Sequence, residues 1–469
     1  MEIPLVKGDT YDSTVDYRDS LPVNMYAVMR AIKGTQGYMN QFYGLTKFVD
    51  GVGVDRGGVL VSRTGLEGHY RVSGTSFIKV NTNGTTTVLG AVTGSDQCSF
   101  AYSFDNIAIV GNGRLYYYNP TNGFREITDP IIGNPIDIVW ADGVFILTDG
   151  EGVFHSDVAD ENLYRALDFS DATFRPDPSL GLGINEDNEL LVFGKFTIEP
   201  FRNIGAQDFI FRSITSKYLK LGCVGTQARK EMNGFWYVVG RRKETAVGFH
   251  QIKSGGEKKL SSREIDKVLA EYDDEQLATV TIDAFTKENV KMILIHLPDK
   301  TILFNETIAE NHGSDNAFTI LKSDTIGDRT YRARNFIFDG DTNEWIGGDK
   351  LNSNIGYLDE TKATHYDEIA EWLLYTPIVS GLETASIDEL ELNTIAGFSP
   401  DNDATVFYST SETGLIFSQE YTQLYTDNHN YNQRFIIRPR HYVRDDVAFK
   451  FRGASRSRMN FSLLKLVAS

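Results

Sequence analysis

Eight histidines, His69, His155, His250, His296, His312, His365, His429 and His441, are the first candidates for metal ligation or proton transfer. Zinc sites are built from His and Cys at short fixed spacings, such as two histidines four apart on a helix. No two of these histidines have that spacing, and neither Cys98 nor Cys223 accompanies one. Each histidine therefore reads as a strand-face or turn residue. Asp339-Gly-Asp-Thr-Asn343 imitates the opening of a calcium loop, but Glu344 stands where the loop needs Gly and Lys350 where it needs a bidentate Glu. A turn closing a hairpin is the better reading, and Asp401-Asn-Asp403 reads the same way. Acidic clusters at Glu186-Asp-Asn-Glu189 and Asp273-Asp-Glu275 offer carboxylates for a glycosidase acid–base pair. Nothing in their spacing makes two of them face each other, so solvated turns and helix ends are the default. Phosphate-cradling G-x-x-x-x-G-K-[ST] and G-x-G-x-x-G loops are absent, as is a G-x-S-x-G nucleophile elbow. No catalytic residue, cofactor site or metal site is assigned.

One charged constellation remains. Arg434, Arg438, Arg440, Arg444, Lys450, Arg452, Arg456 and Arg458 fall close together, against only Asp445 and Asp446. Arg438 and Arg440, and Lys450 and Arg452, are two apart, so on a strand each pair shares a face. This tail reads equally as a surface for an anionic partner or as a solvated face paired with the chain's own acids. The whole chain carries a net charge of −18, which argues against sequence-specific DNA binding. Contact with an acidic neighbouring copy fits such a tail better than contact with duplex DNA.

The elements that must position these residues are hairpins. Residues 70–80, 107–118 and 144–154 each read as an apolar, aromatic-rich strand, a turn carrying Gly, Asn or Asp, and a returning strand. Looser copies begin at Leu190, Phe235, Met292 and Trp345, so successive starts lie 37, 37, 46, 45, 57 and 53 residues apart. Repeats of about 40–50 residues are those of β-propeller blades. Asn83-Gly84, Asn112-Gly113 and Asn122-Gly123 supply the positive φ that tight hairpins need. Aromatic residues at 12%, chiefly Phe and Tyr, agree with a mainly β chain.

Two insertions interrupt the repeats. Ser261 and Glu264 form a capping box ahead of Ile265, Val268, Leu269 and Tyr272, which predicts a helix packed on a blade edge. Residues 305–328 are polar and rich in Asp, Asn and Gly, which predicts a long exposed loop. A short helix is expected over 366–374. Beyond residue 374, six strands are expected, over 386–393, 404–408, 415–424, 434–440, 447–452 and 460–467, a count that suits a small β-sandwich. Residues 1–55 read as an irregular arm or strap laid on the body. Two cysteines far apart suggest buried thiols in a reducing compartment. The first residues lack a signal-peptide pattern, and no apolar run of about 18 residues predicts a membrane span.

The chain resembles the packaged-DNA stabilisation proteins of short-tailed phages, which form the tail hub or nozzle below the portal. The resemblance rests on Leu21-Pro-Val-Asn-Met25, Gly37-Tyr38 with Gly44-Leu-Thr-Lys47, Tyr70-Arg-Val-Ser-Gly74, Ile265-Asp-Lys-Val-Leu-Ala-Glu-Tyr272, Ile293-Leu-Ile-His-Leu-Pro298, Gly348-Asp-Lys-Leu351 and Tyr375-Thr-Pro377. Residues 378–469 match only in pattern. None of these blocks is chemical. The resemblance implies a virion protein made in the bacterial host cytoplasm, a hexameric ring beneath a portal-adaptor ring, closure by a tail needle or plug, and seating of tailspikes or tail fibres. Packaged DNA would pass through without sequence-specific binding.

The expected fold is mainly β: an arm over 1–55, a propeller-like body of six or seven blades over 56–374, and a β-sandwich over 375–469. The helical insertion lies near 261–277 and the loop insertion at 305–328. The expected function is structural, with partner contacts from the arm, the two insertions and the basic tail, the tail contact falling on Arg434–Arg458. The alternatives are a glycoside hydrolase, which requires facing carboxylates and an Arg cluster in an axial pocket, and a glycan-binding adhesin, which requires exposed aromatic platforms.

Overall fold

The computed structural model describes residues 2–4, 21–30, 37–170, 177–253, 255–314, 317–382, 384–394, 404–414, 416–425, 430–439 and 441–469. Within them, seven four-stranded antiparallel sheets follow one another, and the seventh carries a two-stranded extension. Their first strands are Asp55–Val61, Ser99–Tyr102, Asp137–Ala141, Ser179–Ile184, Arg229–Met232, Thr281–Lys287 and Ala333–Asp339. These lie side by side around a ring, except that the fourth and fifth are linked by Arg229 donating to Leu182 O, and the two ends of the array meet where Ala333–Asp339 packs against Asp55–Val61. Each repeated hairpin found in the sequence is the middle pair of one sheet, as with Ile107–Gly111 and Arg114–Asn119. A middle strand has strands on both sides and sheets above and below. Ile107–Gly111, Val144–Thr148 and Leu190–Gly194 are accordingly buried at every position, which explains their unbroken apolar runs.

The fourth strand of the seventh sheet comes from Gly44–Asp50, antiparallel to Asn354–Asp359. Part of the expected arm is thus a blade strand, and it joins the two ends of the repeat array. Residues 22–24 do something related at the domain boundary. Val23 bridges Ile320 of the sixth sheet on one side and Leu373 of the sandwich on the other. It therefore joins the sixth blade and a sandwich sheet edge to edge. Met25–Val28 and Tyr38–Gln41 form a hairpin whose second strand pairs with Asn460–Phe461. Met25, Ala27 and Met39 share one core with Phe304 and Phe318 of the propeller and Trp372 and Phe461 of the sandwich.

The sandwich has one sheet in the order Trp372–Tyr375, Ala448–Gly453, Thr405–Ser411, Tyr421–Leu424. Its other sheet runs Glu2–Pro4, Leu463–Ala468, Ala385–Asn393, Phe435–Ile437, with His441–Val443 also on Ala385–Asn393. Val406, Phe449 and Phe451 from the first sheet meet Leu390, Leu464 and Leu466 from the second in the core.

Several local expectations need correction. Residues 305–328 are not a long exposed loop. Asn305 caps the helix Glu306–His312 by accepting from Ile308 N, and Phe318–Leu321 is the outer strand of the sixth sheet. Three buried apolar residues, Ile308, Phe318 and Leu321, are enough to anchor an otherwise polar stretch. Residues 366–374 form strands, because Tyr366 and Asp367 take positive φ and turn the chain into a hairpin and then into Trp372–Tyr375. The 261–277 insertion is two helices, Arg263–Leu269 and Asp274–Ala278, and the first is capped by Ser262 rather than Ser261. Ser261 Oγ instead accepts from Phe249 N at 3.1 Å and donates to Asp266 at 2.7 Å. Of the expected 415–424 strand, Tyr421–Leu424 is strand and 416–420 is not, among the described residues.

Candidate assembly surfaces and the propeller axis

The inner strands line an axial passage that Gln227 interrupts. On one side lies a cavity of about 420 Å³ bordered by Asp96, Gln97, Asn112, Thr281 and Arg334. On the other lies one of about 400 Å³ bordered by Gly57, Asp137, Arg229, Trp236 and Asn335. Gln227 borders both, and its Nε2 donates to Ser99 Oγ at 2.9 Å. Asp137, Arg229 and Arg334 are committed to the fold. Asp137 Oδ2 accepts from Leu182 N at 2.7 Å and from the Arg229 guanidinium, linking the third, fourth and fifth sheets. Arg334 donates to Asp55 O at 2.5 Å.

Ring closure is keyed by a buried polar network. Asn335 sits at an irregularity in its strand with φ of 56°. Its side chain donates to Asp55 at 2.6 Å in the first sheet, and its backbone N–H donates to Asp283 at 2.7 Å in the sixth. Asp55 also holds Arg71 at 2.8 Å, and Arg71 donates to Asn335 O at 3.0 Å. Asp283 further accepts from Phe336 N at 3.1 Å and pairs with His296 at 3.0 Å. Burial works to raise the Asp283 pKa, but the contacts with His296 and the Asn335 amide outweigh it and hold the carboxyl below its ordinary value. Burial, helped by the Lys350 charge, pushes His296 down to about 4. Lys350, which donates to Thr301 at 3.3 Å, is itself pushed down to about 7 by burial and by Arg334. His296 is the histidine of the Ile-His-Leu-Pro block. Asp55, Arg71, Asp283 and Asn335 carried no comparable sequence signal.

The calcium-like segment is a turn. Asp339 Oδ1 accepts from Asp341 N at 3.0 Å and Thr342 N at 3.3 Å, and Asn343 takes a positive φ between the paired strands. Residues 401–403 and Arg440 lie outside the described residues.

The structure spreads the basic tail over several surroundings. Arg434 pairs with Glu391 at 2.6 Å, and Arg438 approaches Glu389 at 3.8 Å. Lys450 and Arg452 share Glu420 at 3.0 and 2.7 Å, and Arg452 also reaches Glu371 at 3.6 Å. Arg458 turns inward: it donates to Gln41 O and Glu360 O and lies over the Tyr43 ring. Arg444 and Arg456 are exposed. The partners have a simple origin. Residues 371–430 contain ten acids and no Lys or Arg, whereas 431–469 contain nine Lys or Arg and two acids. The two halves of the sandwich complement each other in charge.

This architecture was compared with known proteins. Residues 1–363 match the family model described as bacteriophage P22 Gp10, beta-propeller. Residues 371–469 match the one described as bacteriophage P22 Gp10, beta-sandwich. The chain belongs to the bacteriophage P22 Gp10 family. A curated family relative, the tail hub protein gp10 of Salmonella phage P22, is 26% identical over 98% of this chain and 98% of its own. Among solved structures, a streptogramin B lyase covers 68% of this chain and 98% of its own at TM-score 0.43 and 12% identity. The N-terminal domain of Nup159 covers 72% and 99% at TM-score 0.42 and 7% identity.

Proposed function

We propose that this chain is a structural subunit of a phage tail hub, located in the virion after synthesis in the host cytoplasm. The end-to-end match of both domains to the P22 tail hub protein carries the reading. In this reading the subunits form a hexameric ring below a portal-adaptor ring. The ring retains packaged DNA, meets a needle or plug, and seats tailspikes or fibres.

The axial geometry supports a passage between copies rather than through one. A conduit bridged by Gln227 and Ser99 and bounded by cavities of about 400 Å³ has no room for a duplex. With a net charge of −18, the chain has no general attraction for phosphate, so DNA slides past without being held. The engagement of Asp137 and Arg229 with each other favours a non-enzymatic role over the hydrolase alternative. Electron-microscopic class averages of the purified protein, alone and with portal and adaptor, test the proposal. Six-fold rings are expected. A persistent monomer in both samples, together with hydrolysis of a reporter glycoside, refutes it.

A further inference from the structure

Two charged groups that border the axial cavities are not tied into the fold. The cavity of about 420 Å³ has Asp96, whose carboxylate makes no hydrogen bond or ion pair among the described residues. The cavity of about 400 Å³ has Lys230, an exposed residue whose ammonium group likewise has no such partner. The other charges on that wall are engaged. Arg229 is tied to Asp137 and donates to Leu182 O at 2.7 Å. Glu231 accepts from Gly234 N at 2.6 Å, which fixes the turn after its strand. Glu231 is also the strand neighbour of Lys230, so the two side chains leave opposite faces.

The two cavities differ in their walls as well. No aromatic side chain borders the Asp96 cavity. Trp236 and Phe100 border the Lys230 cavity, together with Val59, Val139 and Ile337. All five are only half-buried, although they belong to inner or middle strands of the blades. Trp236 is held in place: its Nε1 donates to Ile184 O at 3.3 Å, and the Phe193 ring lies 5.1 Å away. Gln227 and Ser99, bonded at 2.9 Å, give the space a floor, so it is a blind pocket rather than a length of open channel.

Small-molecule pockets have this size, with apolar and aromatic walls and a few placed polar groups. Fixed aromatic side chains take the face of a flat ring. An ammonium group without a counter-ion takes an anion. We infer that the Lys230 cavity binds a small organic carboxylate with a flat apolar body, its ring against Trp236 and Phe100 and its carboxylate on Lys230. The pocket lies within one chain, so this inference does not depend on the ring reading.

Ligand-observed NMR titration of the full-length protein tests it, with naphthalene-2-carboxylate as the probe and naphthalene-2-carboxamide as its uncharged counterpart. For a ligand of this size the dissociation constant of the carboxylate is expected on the order of 1 mM. It should bind about fivefold tighter than the carboxamide, the worth of one exposed ion pair. Lys230→Met is expected to remove that preference and leave carboxamide binding unchanged. Val139→Phe fills the pocket and should abolish binding of both probes. Ile337→Phe serves the same purpose if circular dichroism shows the first variant unfolded. Asp96→Asn, in the other cavity, should change neither affinity. Three results overturn the inference: no binding of either probe, a carboxylate preference that survives Lys230→Met, or binding that survives a folded cavity-filling variant. Weakened binding in Asp96→Asn puts the ligand in the other cavity and overturns it as well.

Discussion

Asn24 is the residue on which the junction of propeller, strap and sandwich turns. Its side chain is buried, donates to Lys322 O at 2.9 Å and Glu371 O at 2.7 Å, and accepts from Lys322 N at 3.0 Å. Its backbone, at φ 51°, donates to Ile320 O at 2.8 Å. Asn24→Ala removes three hydrogen bonds, the one to Glu371 O buried and the two with Lys322 part-buried, and orphans three backbone groups. At about 1 kcal/mol per bond, the loss is about 3 kcal/mol. The left-handed backbone adds about 1 kcal/mol for a residue with an ordinary Cβ. A total of about 4 kcal/mol corresponds to roughly a thousandfold in the local opening equilibrium. Amide hydrogen exchange read by mass spectrometry checks this. Peptides covering 21–28 and 317–323 should exchange about a thousandfold faster, while peptides from 99–148, in the second and third blades, should not change. Asn24→Gly should fall short of Asn24→Ala by about fivefold, because glycine accepts the left-handed backbone without strain. Exchange within about threefold of wild type in Asn24→Ala would refute the claim that this side chain holds the junction.

Three further outcomes follow from the buried polar groups. His296, and with it His69, His250 and His365, has a folded pKa below the ordinary histidine value, chiefly through burial. For His296 and His250, stability should be full above about pH 6.5 and fall as the pH drops towards about 4, by about 1.4 kcal/mol per pH unit for each, with His69 and His365 adding in the same direction. His296→Gln should flatten that slope by one proton's worth in urea unfolding across this range, and an unchanged slope would show that His296 is not among the groups responsible. Arg71→Met leaves Asp55 buried without its guanidinium and removes the Arg71 bond to Asn335 O, and should destabilise by about 3–5 kcal/mol in the same assay, whereas a loss under about 1 kcal/mol would show that Arg71 does not hold this network together. Burial pushes the thiols of Cys98 to about 12 and Cys223 to about 11, so neither should react with a disulfide reagent at pH 8 until the chain is unfolded.

The blades were legible because their middle strands are buried on every side and so carry unbroken apolar runs ended by Gly and Asn turns. The sandwich was legible because its strands alternate. What escaped depended on partners far away in sequence. Gly44–Asp50 looks like a fragment of an arm until Asn354–Asp359 is beside it. Phe318–Leu321 is four residues after a polar run, and only the sixth sheet and Val23 make it a strand. Tyr366 and Asp367 turn the chain with positive φ, which neither residue type announces. Among the candidate site residues, the arginines were found as a charge cluster, but their pairing with Glu371, Glu389, Glu391 and Glu420 needed the fold. Asp55, Asp283 and Asn335 stayed hidden, because an Asp or Asn near a strand end is indistinguishable in sequence from a solvated turn residue.

The strap imposes an order on biosynthesis. Gly44 pairs with Asp359, so the strand that completes the ring leaves the ribosome about 300 residues before its partner. At about 5–20 residues per second, that is roughly 15–60 s of waiting with an unpaired edge. Tyr38–Gln41 waits longer still, for Asn460–Phe461. A chain cut short before Asn460 still pairs Val23 with Ile320 and Leu373, but it leaves Tyr38–Gln41 without its outer partner and the shared core without Phe461, Leu464 and Leu466. The strap is thus fastened in stages set by chain order, at about residue 320, then at 354–373, and last at 460–461.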